Sequence, residues 1–212
     1  MLTVCEQFKS IQGESTFAGE LCSFIRLAGC NLSCSYCDTK YALSGGTPVS
    51  MKNILSTVEK HGCEYVEITG GEPLLQSETA GLCCRLLDKK YTVLVETNGS
   101  IFIGSLPNGC VRIVDVKCPS SNMAGSFLNK NICELTSVDQ LKFVLSDKND
   151  FNWALDFVKI HKLNDLCKVI FSPVSNALPA SDLAQWIIDA SAPVRLGLQL
   201  HTIIWGQGKK GR

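Results

Sequence analysis

The chain has 212 residues, of which 45% are hydrophobic and 19% are charged, the proportions of one globular domain spanning residues 1–212 rather than of a disordered chain. Its 20 basic and 20 acidic side chains balance, so the composition does not indicate a broad basic surface for nucleic acid. The sequence has neither the run of about 20 apolar residues that a membrane span needs nor a signal peptide at its start, and we expect a cytoplasmic protein.

Short apolar runs alternate with amphipathic segments along the chain, a pattern typical of β–α units and a mostly parallel sheet. In chain order it predicts strand 3–11, strand 21–28, helix 50–61, strand 64–69, helix 76–89, strand 91–96, strand 111–116, strand 139–145, helix 149–163, strand 168–172, helix 180–190 and strand 194–200. Ser50 and Ser181 precede helical patterns and are the predicted N-caps. Residues 118–136 allow no prediction.

Polar segments follow six of the predicted strands at their carboxyl ends, at residues 30–37, 70–73, 96–99, 115–121, 172–176 and 201–202. In a parallel α/β barrel, ligands bind at this end of the strands. Four helices are too few for eight complete β–α units. The sequence therefore predicts an α/β fold, a partial and open (β/α) barrel, with one ligand site at its mouth.

Three of the 12 cysteines, Cys30, Cys34 and Cys37, form a C-x3-C-x2-C pattern after the second strand. Zinc sites usually pair four ligands as two close couples, so this pattern favours an iron–sulfur cluster with one iron left open. The amino and carboxylate groups of S-adenosylmethionine (SAM) could occupy that iron. The other nine cysteines are scattered, and we interpret them as small buried hydrophobic residues rather than ligands.

A second motif, Gly70-Gly71-Glu72-Pro73, ends the third predicted strand. Two glycines let the backbone approach a ligand closely, and a carboxylate can accept from an ammonium group. An ordinary turn is the alternative interpretation, because glycine and proline occur in most turns. Together and in this order, the two motifs resemble those of the radical SAM superfamily, in which this turn holds the amino group of SAM.

Further segments narrow the resemblance to one family: SIQGE at 10–14, FIRLAGCNL at 24–32, VETNG at 95–99, DVKCPSS at 115–121 and LQLHTIIWG at 198–206. Over nearly the whole chain they resemble the 7-carboxy-7-deazaguanine synthases. The resemblance implies that SAM cleavage yields a radical that takes a hydrogen from 6-carboxy-5,6,7,8-tetrahydropterin, whose ring contracts with loss of ammonia. It also implies a [4Fe–4S] cluster, SAM and Mg²⁺ as cofactors, flavodoxin or a similar electron donor, and a homodimer.

The resemblance also assigns the site residues. It gives Cys30, Cys34 and Cys37 as cluster ligands and Thr39 as a ligand of Mg²⁺. It implies that SAM contacts Tyr36, Cys37, Asp38, Gly71, Lys117, Cys118, Pro119, Ser120, Ser172, Pro173, Val174 and Ser175. Glu96 and Asn98 follow a predicted strand at the same mouth, and we expect them to meet the ribose of SAM. It implies that the substrate contacts Ile11, Gln12, Gly13, Glu14, Arg26, Thr69 and His201.

Two charged residues lie inside predicted strands and receive different interpretations. Arg26 is in an apolar strand, where an unpaired charge is costly, and a clamp on the substrate carboxylate would explain it. A structural ion pair is the alternative for Arg26. Lys142, within the apolar run 141–144, is interpreted as an ordinary alternating strand residue and is left out of the site.

Two other functions stay open at this point. Another small radical SAM enzyme, such as a glycyl-radical activase, would need a docking surface for a protein, whereas Gln12, Glu14 and Arg26 favour a small anionic substrate. A non-enzymatic module that binds zinc or an iron–sulfur cluster would have no use for the turn at 70–73 or for a barrel. Metal analysis would distinguish this second alternative.

Overall fold

The computed structural model describes residues 1–206, 208 and 210–211. Its centre is a sheet of nine described strands: β1 (Leu2–Ile11), β2 (Leu21–Leu27), β3 (Thr47–Val49), β4 (Tyr65–Gly70), β5 (Thr92–Thr97), β6 (Val111–Lys117), β7 (Gln140–Leu145), β8 (Lys168–Pro173) and β9 (Arg195–Leu196). The described helices are α1 (Met51–His61), α2 (Thr79–Asp88), α3 (Lys148–Ile160), α4 (Ala180–Asp189) and α5 (Leu200–Trp205). None of these helices has the length and apolarity that crossing a membrane requires.

The strand order is β3-β1-β2-β4-β5-β6-β7-β8-β9. From β2 to β9 every neighbouring pair is parallel, whereas β1 pairs antiparallel with both β2 and β3. The short connection between β1 and β2 suits an antiparallel pair, since a parallel pair needs a long crossover. Within the described residues β3 and β9 are edges and do not pair with each other, which confirms the predicted partial, open barrel.

Alternation along the strands separates the core from the barrel interior. On β4, Val66 and Ile68 belong to the apolar cluster that includes Ile54 of α1, whereas Glu67 and Thr69 border an interior cavity. Successive strand residues point to opposite faces of a sheet, so helices cover the apolar face and polar side chains are left inside. This alternation brings side chains of several strands into one site.

Most of the predicted elements are confirmed, and seven of the eight predicted strands have bounds within one residue of the observed ones. The predicted strand at 194–200 is wrong in its second half, since only Arg195–Leu196 pairs with β8 and Leu200 begins α5. There Gln199 contacts Glu14 and Ser175, so contacts outside the strand ladder decide its conformation. The three-residue β3 was not predicted, and it contains a proline of the kind found in edge strands.

Of the two predicted N-caps, one is confirmed and the other is wrong. The Ser50 hydroxyl accepts from the Asn53 amide at 3.2 Å, as predicted. Ser181 is already inside α4, whose N-cap position is Pro179, and its hydroxyl donates to Asp182 instead. The helix predicted at 76–89 begins only at Thr79, after a 3-10 turn. In the segment without a prediction, residues 119–121 and 129–134 form 3-10 turns.

Candidate active site

A cavity of about 700 Å³ occupies the barrel interior and opens at the carboxyl ends of the parallel strands. Most of the predicted site residues border it: Ile11, Gln12, Gly13, Glu14, Arg26, Cys30, Cys34, Tyr36, Cys37, Asp38, Thr39, Thr69, Gly71, Glu96, Asn98, Lys117, Val174, Ser175 and His201. The structure thus brings residues from most of the chain to one place.

Five residues predicted to contact SAM do not border this cavity, namely Cys118, Pro119, Ser120, Ser172 and Pro173. Cys118 is fully buried, and the Ser120 hydroxyl bonds to Asp150 and, at 3.0 Å, to Ser146. The side chains of Cys118 and Ser120 are therefore used within the protein. Contact of SAM with the backbone of these two segments stays a prediction.

The cysteine loop is held rigidly at the cavity wall. The Ser35 amide donates to the Ser121 carbonyl at 3.0 Å, and the Tyr36 hydroxyl donates to the Val144 carbonyl at 3.2 Å. The three thiols are half-buried and free, and the Cys30 sulfur accepts from the Leu32 amide at 3.4 Å. Hydrogen bonds of this kind to the sulfurs help to set the potential of an iron–sulfur cluster.

The donor set suits a cluster better than a single ion. Within the described part of the chain, no three His, Cys, Asp or Glu side chains converge as ligands of one metal ion do. A cubane places each thiolate on a different iron, so its protein ligands stand apart around it. Burial raises the pKa of Cys34, while the nearby Lys117 ammonium opposes that rise and favours the thiolate.

The turn after β4 needs its glycines because backbone lies against backbone there. A Cβ atom on Gly71 would stand 2.3 Å from the Gly29 carbonyl oxygen, and Gly70 has a φ of +156°. The fully buried Glu72 accepts from the Thr97 hydroxyl at 2.8 Å and from the Asn98 amide at 2.7 Å. Glu72 therefore holds the turn together, and it does not border the cavity.

Lys142, which the sequence analysis left out of the site, borders the same cavity. Its side chain is 4% exposed, and its ammonium lies 2.7 Å from Glu14, 3.4 Å from Asp115 and against Glu96. Burial disfavours the charged amine, but the three carboxylates outweigh it and raise the pKa of Lys142 well above its ordinary value. Like Arg26, Lys142 is a charged residue in a buried strand, where an unpaired charge is costly.

Arg26 combines the two interpretations weighed for it. Its Nε donates to Glu6 at 2.8 Å, and the same Glu6 oxygen accepts from the Tyr41 hydroxyl at 2.7 Å. Arg26 also borders the cavity, and within the described residues its terminal nitrogens make no hydrogen bond. The ion pair is therefore present, and the clamp on a substrate carboxylate stays a prediction that this geometry permits.

The predicted substrate residues contact one another around the cavity floor. The Gln12 amide donates to Glu67 and accepts from the Glu14 backbone amide. The Thr69 hydroxyl donates to Glu96 at 3.0 Å. The His201 ring lies against Gly13, where a Cβ atom would stand 2.3 Å from its Nδ1. Sequence reasoning did not single out Glu67, although a carboxylate between apolar strand residues is a detectable signal.

At the rim, the Thr39 hydroxyl donates to the Asp38 carboxylate at 2.7 Å. Both residues border the cavity next to Cys37. This gives two oxygen groups near the cysteine loop. Mg²⁺ prefers such ligands and completes its coordination with water and substrate oxygens.

Known proteins resemble this chain both in sequence and in fold. Residues 24–108 match the model of the Radical SAM superfamily. The chain is 42% identical to the 7-carboxy-7-deazaguanine synthase of Koribacter versatilis, covering 99% of this chain and 100% of that protein. It is 41% identical to that of Chlorobaculum tepidum, over 99% and 97%. The crystal structure of QueE from Escherichia coli superposes with a TM-score of 0.78 at 21% identity, over 94% of both chains, which shows the shared fold.

Proposed function

The chain belongs to the family of 7-carboxy-7-deazaguanine synthases, and from that premise we propose that it converts 6-carboxy-5,6,7,8-tetrahydropterin to 7-carboxy-7-deazaguanine with loss of ammonia. One observation carries the proposal. A single cavity is bordered at its mouth by three cysteines and Gly71 and deeper in by Gln12, Glu14 and Arg26, so a cofactor and a small anionic substrate would meet there.

We assign the cluster to Cys30, Cys34 and Cys37. When bound there, the cluster and SAM would supply the radical chemistry for hydrogen abstraction. The residues of the chain position this chemistry, since the bonds of Ser35 and Tyr36 hold the cysteine loop against the barrel. The remaining predicted SAM contacts, at 38, 71, 96, 98, 117–120 and 172–175, belong to the same proposal.

The substrate is oriented by charge and by hydrogen bonds. The terminal nitrogens of Arg26 suit a two-point contact with the substrate carboxylate, and Glu6 fixes the plane of that guanidinium. Thr69, His201 and the backbone of residues 11–14 complete the proposed substrate contacts. Lys142 acts indirectly, because the contacts of its ammonium hold the Glu14 and Glu96 carboxylates in place.

We extend the proposal to partners on the strength of the family resemblance. Thr39 would hold a Mg²⁺ ion, which would supply positive charge beside the substrate. Electrons would come from flavodoxin or a similar donor, and two copies would form a homodimer in the cytoplasm. Relatives that match nearly the full length favour this function over a glycyl-radical activase or a metal-binding module.

The test is the complete reaction, in which SAM cleavage is monitored together with product formation. Protein reconstituted anaerobically with iron and sulfide receives SAM, a reductant, Mg²⁺ and the tetrahydropterin, and products are followed by mass spectrometry. We expect 7-carboxy-7-deazaguanine in excess of the SAM consumed. Cys34→Ala should abolish SAM cleavage, whereas Cys84→Ala, at an exposed cysteine outside the cavity, should leave it unchanged. Cleavage of SAM without the deazaguanine product would refute the substrate assignment.

A further inference from the structure

Glu67 is a buried acid that faces the cavity, and it forms no ion pair with any of the described residues. It is 2% exposed and comes from the middle of β4. In the described part of the chain, the one hydrogen-bond partner of its carboxyl group is the side-chain amide of Gln12, which is itself 3% exposed. The Gln12 side-chain oxygen already accepts from the Glu14 backbone amide. The Glu67 carboxyl group therefore supplies the main hydrogen-bond acceptors that a ligand would meet at the floor of the cavity.

Several other acids around the barrel interior have cationic partners. Glu6 pairs with Arg26, while Glu14 and Glu96 pair with Lys142. Removing a carboxylate from water without such a partner is costly, and the group then tends to keep its proton. Burial, reinforced by the negative charge of Glu96, raises the pKa of Glu67 to about 8. A ligand that offers donors at this point would supply the missing partner.

An aromatic surface lies beside Glu67. The strand register pairs Phe24 of β2 with Glu67 of β4, and Phe24 borders the same cavity. The Phe24 ring stacks on Phe8, with their centroids 4.8 Å apart. In the same register Arg26 pairs with Thr69, two residues nearer the carboxyl end of the strands. The cavity therefore has an inner layer with a flat apolar ring and a carboxyl group, and an outer layer with a guanidinium.

We propose that Glu67 binds the donor edge of the substrate's aminopyrimidinone ring, its two oxygens accepting from the ring N–H and the exocyclic amino group. This inference rests on the proposed function, whose substrate carries such a ring at one end and a carboxylate at the other. Two parallel hydrogen bonds to one carboxylate are strong and directional. Glu67 and Arg26 then hold opposite ends of the substrate, and Phe24 covers the face of the ring.

Binding should be coupled to a proton. The ring donors favour the charged carboxylate, whereas free Glu67 holds its proton below pH 8. Binding therefore releases a proton, and affinity rises with pH until about 8. Glu14, Glu96 on β5, Lys142 on β7 and Cys22 on β2 face Glu67. Burial raises the pKa of Cys22 above this range. The nearby carboxylates raise the pKa of Lys142 above it as well. Glu14 and Glu96 stay bonded to the Lys142 ammonium.

The experiment uses two unreactive ring probes on the reconstituted protein with SAM. 6-Carboxypterin has the amino group, and 6-carboxylumazine carries an oxygen in its place. Calorimetric titration at pH 7 should show that the wild-type protein prefers the pterin by at least about tenfold and releases about one proton, measured in two buffers of different ionisation enthalpy. Glu67→Gln should lose both the preference and the proton release, because its amide opposes the ring donors.

Two variants control for structural effects. Glu64→Gln changes an exposed acid just before β4 and should bind both probes like the wild type. Glu67→Asp keeps a carboxyl group and should retain the preference for the pterin at lower affinity. Equal preference and equal proton release in wild type and Glu67→Gln would overturn this inference and leave the proposed function standing. A wild-type protein that binds neither probe would overturn the substrate class and the inference together.

Discussion

The strictest test of the charge arrangement is Lys142→Met, which keeps the approximate volume of the side chain and removes its ammonium. That ammonium lies 2.7 Å from Glu14 and 3.4 Å from Asp115, and it also contacts Glu96. With the lysine side chain 4% exposed, water screens these contacts little. Removing one partner of a buried ion pair costs about 3–5 kcal/mol, a large part of a typical stability of roughly 5–15 kcal/mol.

Urea unfolding at pH 7, followed by circular dichroism, measures this loss directly. The matched control is Lys89→Met, since Lys89 pairs with Glu59 on the surface, where both side chains are about half exposed. We expect a near-wild-type unfolding midpoint for the control, because solvent screens exposed ion pairs. Lys142→Met should unfold at a much lower urea concentration, with an unchanged dependence on urea.

The pH dependence of the stability difference between wild type and Lys142→Met gives an independent check. The pKa of Lys142 is raised, so its stabilising contribution is present at neutral pH and is lost only in strong alkali. The stability deficit of Lys142→Met should shrink as the pH falls, because acid removes the negative charge that the missing ammonium would have balanced. A loss below about 1 kcal/mol at pH 7, or a deficit that grows on acidification, would refute the reasoning.

Three further substitutions test separate parts of the site. Gly71→Ala would put a Cβ atom 2.3 Å from the carbonyl of Gly29, so SAM binding should fall at least about tenfold, whereas Gly81→Ala, with open space around it, should bind SAM normally. Thr39→Ala should lose the stimulation of turnover by Mg²⁺, and an unchanged Mg²⁺ titration would contradict its role as a ligand. Arg26→Ala should form the deazaguanine at least about tenfold more slowly while still cleaving SAM, and full product formation would exclude the clamp.

Much of the fold follows from local pattern. Alternating apolar residues predict the central strands, because each strand must present one face to the helices that cover it. The pattern fails at the last strand, where Leu198, Gln199 and Leu200 alternate in polarity as a strand does but lie outside the sheet. There the contacts of Gln199 with Glu14 and of His201 with Gly13 set the backbone. Such contacts join distant segments, and no local pattern contains them.

The same division applies to the site. The sequence by itself determined the cysteine loop and the glycine turn, because each is a short contiguous segment whose spacing and backbone freedom carry its chemistry. Only the tertiary structure decided the roles of Lys142 and Glu67. Lys142 meets Glu14 across 128 positions of the chain, and Glu67 meets Gln12 across 55. Strand register determines which buried charges find partners and which one is left facing the cavity, and that register exists only in the folded barrel.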